Sequence, residues 1–596
     1  MSIPKRNEVP EEFTWDLTHI FASDEAWEQE LAALKEVLPR CAAFEGTLKD
    51  PASLLAYFRL EDEMSVRLTK LLGYASMKHD QDTADSRYQA MNGKATSLYV
   101  GFAGATSFFT PEIMSIGDEE YQALFTREPA LKGYARRLEL SRRQKAHVLS
   151  PECEKLLAAA QEVAEAPDNI GSTFRDAELR FPEVTDSEGN VHQLTGGSFV
   201  PLLESPDPAF RKTVFDTYYT RLGEFKNTVA ATLNGQFKQL KFFAEARRFG
   251  STLEAALFSH EVPVEVYHNL IEAVHANMDK MYRYVRLRKR MLGLSELHMS
   301  DVYTPMVKDA AVTIPYEEAK KTVLEALSVM GEDYVAKLNK AFDERWIDIY
   351  ENEGKRGGAY SSGTAWPHPY MLLNHKDNLD SEFTLAHELG HSMHTCYSME
   401  NQPVCTADYV IFVAEVASTC NEVLLVKHLL AKTTDRKQRA HLINHFLDSF
   451  KGTVYRQTMF AEFELEMGRM AEAGEPLTAY ALCEKYLALN KLYFGPDMIS
   501  DEGIALEWAR IPHFFYNYYV FQYATGFSAA VALAEKILTE GAPAVEQYKK
   551  FLSGGCSQDP ISLLKLAGVD MSTPEPVGQA LALFGELLDE MEELID

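Results

Sequence analysis

Apolar residues recur every three or four positions through long stretches of this 596-residue chain, and that spacing is satisfied by helices packed on helices. Residues 26–38, 51–74, 150–166, 264–292 and 316–341 all carry it. Extended structure is sparse. Residues 179–185 and 191–194 flank Asp186-Ser187-Glu188-Gly189-Asn190, a turn signal that predicts a short hairpin. Residues 352–379 hold Gly354, Gly357, Gly358, Gly363, Pro367 and Pro369 and read as non-helical, with a strand at 369–374. No fixed-period repeat is visible, which argues against a solenoid. The expected fold class is mostly α. The hairpin, then Gly196-Gly197 and a proline-containing stretch at 203–208, suggest a boundary between a helical N-terminal region, 1–195, and a larger helical region, 196–596, that holds the chemistry.

Charge narrows the partners. Lys+Arg 59 against Asp+Glu 88 gives −29, and no basic tract reverses it locally. A phosphate backbone is repelled, so nucleic acid is not an expected partner, whereas a cationic or zwitterionic ligand fits the field. The seven cysteines, Cys41, Cys153, Cys396, Cys405, Cys420, Cys483 and Cys556, contain no C-x-x-C pair. An odd, scattered set predicts free thiols in a reducing compartment. The opening M-S-I-P-K-R-N-E-V-P-E-E lacks the apolar core of an export signal. Residues 514–534 carry no formal charge, yet Asn517, Gln522, Thr525, Ser528 and several tyrosines would be costly in a bilayer. That stretch is expected as a helix buried in protein, and the chain as cytoplasmic with no membrane partner.

The sharpest signal is His387-Glu388-Leu389-Gly390-His391. Its surroundings contain no proline, so it falls on a helix, where residues four apart project about 40° from one another. Two neutral imidazoles on one face can hold a single Zn²⁺. Glu388, one step round, is placed to act on a water at the ion without ligating it, as a general base. A chance match would usually lie on an exposed polar helix. Here Phe383, Leu385, Leu389 and Met393 make the helix apolar, and buried imidazoles and carboxylates need a partner.

A catalytic zinc needs a third protein ligand. His394 shares the face of His387 but lies a further turn along, so it is expected either to support a ligand from behind or to pack. The neighbouring segment F-V-A-E-V-A-S-T-C-N-E carries Glu415 and Glu422, seven residues apart on an otherwise apolar helix. Glu415 as the third ligand, with Glu422 accepting a hydrogen bond from a ligand histidine, is the economical assignment. Two solvent-facing glutamates are the alternative.

Further on, His513, Tyr516, Tyr519 and Tyr523 could donate hydrogen bonds to an oxyanion; read alone, such an aromatic stripe is more often core. The glycine-rich run at 355–363 lacks the phosphate-loop pattern. It reads equally as a mobile cover over substrate and as a surface loop. Residues 370–374, as an exposed edge strand, could pair with an extended peptide.

H-E-L-G-H-S-M-H followed by F-V-A-E-V-A-S-T-C-N-E resembles the oligoendopeptidase F group of thimet-oligopeptidase-like zinc metallopeptidases. Trp15-Asp16-Leu17, residues 355–361, 369–374, 513–526 and Ala567-Gly568-Val569-Asp570-Met571 extend the likeness over essentially the whole chain. The resemblance implies a mostly helical, two-lobed body with a deep substrate channel and a small β component near the active site. It implies one Zn²⁺ on His387, His391 and Glu415, Glu388 as base, and His513, Tyr516 and Tyr523 as oxyanion donors. Val520 stands where some relatives place a tyrosine, and Tyr519 is the substitute. The implied substrates are oligopeptides cut internally. Two rivals stand beside this reading. One is a helical zinc carboxypeptidase, with Arg356 for the free carboxylate. The other is a non-enzymatic helical peptide-binding protein whose structural zinc is closed by Cys396, Cys405 or Cys420.

Overall fold

The computed structural model describes residues 3–307, 313–363 and 367–595. Residues 364–366, inside the stretch read as non-helical, therefore lie outside the described residues. Helix accounts for 72% of residues and strand for 3%, so helix packing carries the fold and the strands shape local sites. The strands are β1 (Glu183–Thr185), β2 (Val191–Gln193), β3 (Leu297–His298), β4 (Ile347–Asp348), β5 (Tyr360–Ser362), β6 (Tyr370–Leu372) and β7 (Met498–Ile499). β1 and β2 form the expected antiparallel hairpin, with Val184 opposite His192. β3 pairs parallel with β7.

The third sheet has the order β4-β6-β5, parallel then antiparallel. The reading of 370–374 as an exposed edge is overturned here. β6 is the central strand, hydrogen-bonded on both sides, and Tyr370, Met371 and Leu372 are fully buried. An apolar triplet without polar alternation is what a strand covered on both faces requires.

The chain divides into two compact units, each assembled from separate segments. One comprises Met1–Ala146, Ala311–His428 and Leu533–Val569; the other His147–Ala310, Leu429–Ala532 and Asp570–Asp596. Residues 196–208, where composition suggests a boundary, lie inside the second.

In the first unit, helices Asp24–Ala42, Pro51–Gln81 and Ser86–Thr106 bury Trp27, Leu31, Met64, Leu68 and Leu98 in one core. Tyr370 and Leu372 of β6 join that core, which ties the sheet to the helices. Pro51 sits at the first helical position behind Asp50, whose carboxylate accepts the Ser53 N–H at 2.9 Å. The segment 316–341 is two helices, Tyr316–Ala326 and Glu332–Asp343. A 3-10 turn at Leu327–Met330 follows the first, and Gly331 at φ 92°, a conformation that suits glycine, separates it from the second.

In the second unit, 264–292 likewise splits into Val264–His275 and Met278–Leu292. Asn277 Nδ2 donates to Ala273 O at 2.8 Å and so occupies the carbonyl that a continuing helix would use. No helix among the described residues is long and apolar enough to cross a membrane. Residues 521–534 are the largely buried N-terminal part of helix Phe521–Glu540, whereas 514–520 is not α-helical.

Candidate active site

Two helices of the first unit build a metal-ready group. The histidine helix, Leu379–Asn401, is capped by Asn378, whose side chain accepts the Ser381 N–H at 2.9 Å. The glutamate helix is Ile411–Lys432. Gly390 lets them touch: a Cβ there would stand 2.5 Å from Ser418 Cα and 2.6 Å from Ala417 O. Asn421 Nδ2 donates to Ala386 O at 3.1 Å, and Tyr334 Oη donates to Asn421 Oδ1 at 3.0 Å. This lock sets the register in which Glu415 faces the two histidines.

His387 Nε2 lies 3.2 Å from His391 Nε2 and 3.2 Å from Glu415 Oε2, which is 3.6 Å from His391 Nε2. A tetrahedral Zn²⁺ with ligand bonds of about 2.0–2.1 Å needs donor atoms about 3.3–3.4 Å apart. The two imidazoles and the carboxylate therefore fit one such ion. Glu422 Oε1 pairs with His387 Nδ1, which turns Nε2 towards the other donors. Glu388 is 6% exposed, and its Oε2 is buried without a hydrogen-bond partner.

Burial pushes Glu388 up to about 7, partly offset by the His387 charge. Burial, reinforced by that same charge, holds His391 down at about 4. At His387, burial opposes the cation but the Glu415 and Glu422 carboxylates outweigh it and raise the proton affinity. Glu415 is lowered in turn, since His387 and His391 overcome its burial.

The other sequence candidates of this unit fall outside the group. His394 is buried and stacks on Tyr409 with centroids 3.7 Å apart, a packing role. Among the described residues the group contains no cysteine, and burial lifts the Cys396 and Cys420 thiols to about 12. Arg356 pairs with Asp80 at 3.3 Å. The glycine-rich run is anchored, with Lys355 Nζ buried 2.7 Å from Asp348 and Asn374 Nδ2 donating to Arg356 O and Gly358 O. It ends in β5, whose Ser361 Oγ lies 2.8 Å from Ser392 Oγ on the histidine helix.

His513 and the tyrosines belong to the second unit and cluster there. His513, in the turn Pro512–Phe515, has ring centroids 5.4 Å from Tyr516, 6.3 Å from Tyr519 and 6.0 Å from Tyr523. Tyr523 Oη lies 3.5 Å from His513 Nε2. Burial, then the charges of Arg456 and Arg175, lower the proton affinity of His513, which favours a neutral ring.

The loop between them is strained: Asn517 and Tyr518 are consecutive non-glycine residues at φ 57° and 61°. Glu464 Oε1 accepts the Tyr518 N–H at 3.0 Å, Gln236 Nε2 donates to Asn517 Oδ1 at 2.9 Å, and Tyr518 Oη meets Thr252 Oγ1 at 2.7 Å. Sequence reasoning missed all three clamps. The one signal was Glu464 itself, a carboxylate in the apolar stripe of Phe460, Phe463 and Met467.

Burial pushes Glu464 up to about 8, so the folded chain keeps a proton that the unfolded chain has released above about 4.5. Between those values stability falls as pH rises. Glu464→Gln keeps the acceptor and cannot ionise. Its thermal midpoint is expected to match the parent near pH 4.5 and to exceed it progressively towards pH 8. A constant difference across that range would show that no buried proton is held there.

Residues 201–583 match the model for peptidase family M3, and residues 112–181 the model described as oligopeptidase F. The oligopeptidase PepF of Bacillus subtilis (strain 168) is 47% identical over 100% of this chain and 89% of its own length. The group B oligopeptidase PepB of Streptococcus agalactiae is 41% identical over 99% of this chain and 98% of its own. The crystal structure of oligoendopeptidase-F from Enterococcus faecium superposes with a TM-score of 0.75 at 37% identity, covering 96% of this chain and 99% of that one.

Proposed function

The chain belongs to peptidase family M3, and from that premise we propose that it is a zinc-dependent endopeptidase hydrolysing internal bonds of oligopeptides. The observation that carries the reading is the convergence of His387, His391 and Glu415 at the spacing of a tetrahedral ion, beside the buried Glu388 carboxylate, whose Oε2 has no hydrogen-bond partner. The substrate class follows the names of the relatives.

Zn²⁺ bound by His387, His391 and Glu415 would supply a Lewis acid that polarises a carbonyl and acidifies water. Glu388 Oε2 takes the proton of the attacking water and delivers it to the leaving nitrogen. Glu422 keeps the His387 ring turned. His513, Tyr516 and Tyr523 are the donors assigned to the developing oxyanion, with Tyr519, centroids 5.4 Å from Tyr523, as the alternative. An extended peptide would be received by β5 rather than β6, because β5 is at the end of its sheet and packs on the histidine helix.

A structural zinc would normally be closed by a fourth protein ligand, often cysteine; the three-donor group favours catalysis. Seven free thiols support a cytoplasmic setting. An oligopeptide blocked at both ends is the direct test. Internal cuts, read as product masses, should vanish with a zinc chelator and return with Zn²⁺. Cleavage of only the unblocked peptide would favour the carboxypeptidase, and no cleavage of either the structural metal.

A further inference from the structure

The second unit contains a cavity of about 820 Å³, within the size range of specific ligand sites. Pro512 and Phe515, which bracket His513, form part of its lining. Phe181 and Tyr218 also line it, stacked with centroids 4.3 Å apart, and Tyr218 stacks in turn on Phe199 at 4.0 Å. Three cations also line it: Arg510, which is paired with Glu507 at 2.5 Å, and Arg175 and Arg180.

Arg175 and Arg180 are differently engaged. Arg175 Nε donates to the neighbouring Asp176 Oδ1 at 3.1 Å. Arg180 Nη1 reaches only its neighbour's carbonyl, Leu179 O at 3.3 Å, and meets no carboxylate among the described residues. In a chain of net charge −29, a guanidinium left without an acid on a cavity wall is chemically conspicuous. Its planar fork matches a carboxylate in bidentate geometry. The Arg175 charge is felt at His513, so the cationic side of the cavity is near the residue assigned to the oxyanion.

We propose that this cavity binds the C-terminal end of an oligopeptide, with Arg180 pairing to the free α-carboxylate. The proposal rests on the peptidase reading above. An α-carboxylate suits this place because every unmodified oligopeptide carries one, whatever its sequence.

The test measures binding, on full-length, zinc-loaded Glu388→Gln protein, of two peptides identical except for a C-terminal carboxylate or amide. The amide is expected to bind about tenfold more weakly, a difference of about 1.4 kcal/mol. Adding Arg180→Ala should weaken the carboxylate peptide to the level of the amide; the side chain is exposed, so the fold should persist. Equal preference for the carboxylate with and without Arg180, or no preference in either protein, overturns the proposal. So does a loss caused by an internal Glu→Gln change in the peptide but not by amidation. Because the readout is equilibrium binding to a non-turnover variant, failure of the parent enzyme to cleave would refute the endopeptidase reading separately.

Discussion

Replacing Glu388 by glutamine is expected to lower kcat by roughly 10²–10⁴-fold, the range associated with general acid–base catalysis, while the metal stays bound. The two halves of that expectation come from different atoms. His387, His391 and Glu415 form the group that can hold an ion, and Glu388 is outside it. Glutamine has nearly the same shape, so the packing of a side chain only 6% exposed is preserved. It cannot accept the proton of an attacking water. Folding should not suffer, because a neutral amide in a buried place is less costly than a carboxylate. The measurement combines kcat on a doubly blocked peptide, zinc content per chain and the thermal midpoint. A variant that keeps kcat within about tenfold of the parent, fully loaded with zinc, would remove Glu388 from the role of base.

The residues that read most clearly from sequence were those whose role depends on local spacing. His387 and His391 share a helical face by arithmetic alone, and Glu415 with Glu422 stood out as acids on an apolar helix. Their meeting depends on Gly390, whose missing Cβ lets the second helix reach the first, and nothing in the local pattern announces that approach. β5 was hidden because Tyr360-Ser361-Ser362 follows a glycine-rich run without alternation. β6 was placed correctly as a strand but assigned to the wrong position in its sheet, since register with β4 and β5 is a long-range property. The clamps on Asn517 and Tyr518 come from positions 236, 252 and 464. Such contacts leave no periodic trace in the chain. The helix breaks at Asn277 and Gly331 were masked by apolar spacing that runs on through both, although each residue type argues for a break.

Removing the third ligand is expected to produce the other large effect, on metal rather than on chemistry. Glu415→Ala deletes the oxygen that lies 3.2 Å from His387 Nε2 and 3.6 Å from His391 Nε2. Two imidazoles on one helix then remain, and two donors do not complete a protein-held zinc site. Glu422→Ala acts one bond further out. It leaves all three donor atoms in place but frees His387 Nδ1 from the carboxylate that orients the ring. Loss of such an outer partner typically costs about 10–100-fold in metal affinity or activity, so loss of Glu415 itself should exceed about 100-fold. Zinc content after dialysis against a graded series of chelators separates the two: Glu415→Ala should be emptied by the weakest, Glu422→Ala at intermediate strength, and the parent last. The thermal midpoint measured with and without added Zn²⁺ gives a second readout, since an ion bound only by the folded chain raises it. That rise should be absent in Glu415→Ala and reduced in Glu422→Ala. Undiminished zinc in dialysed Glu415→Ala would move the third ligand elsewhere. An ordering in which Glu422→Ala loses zinc first would exchange the roles of the two carboxylates.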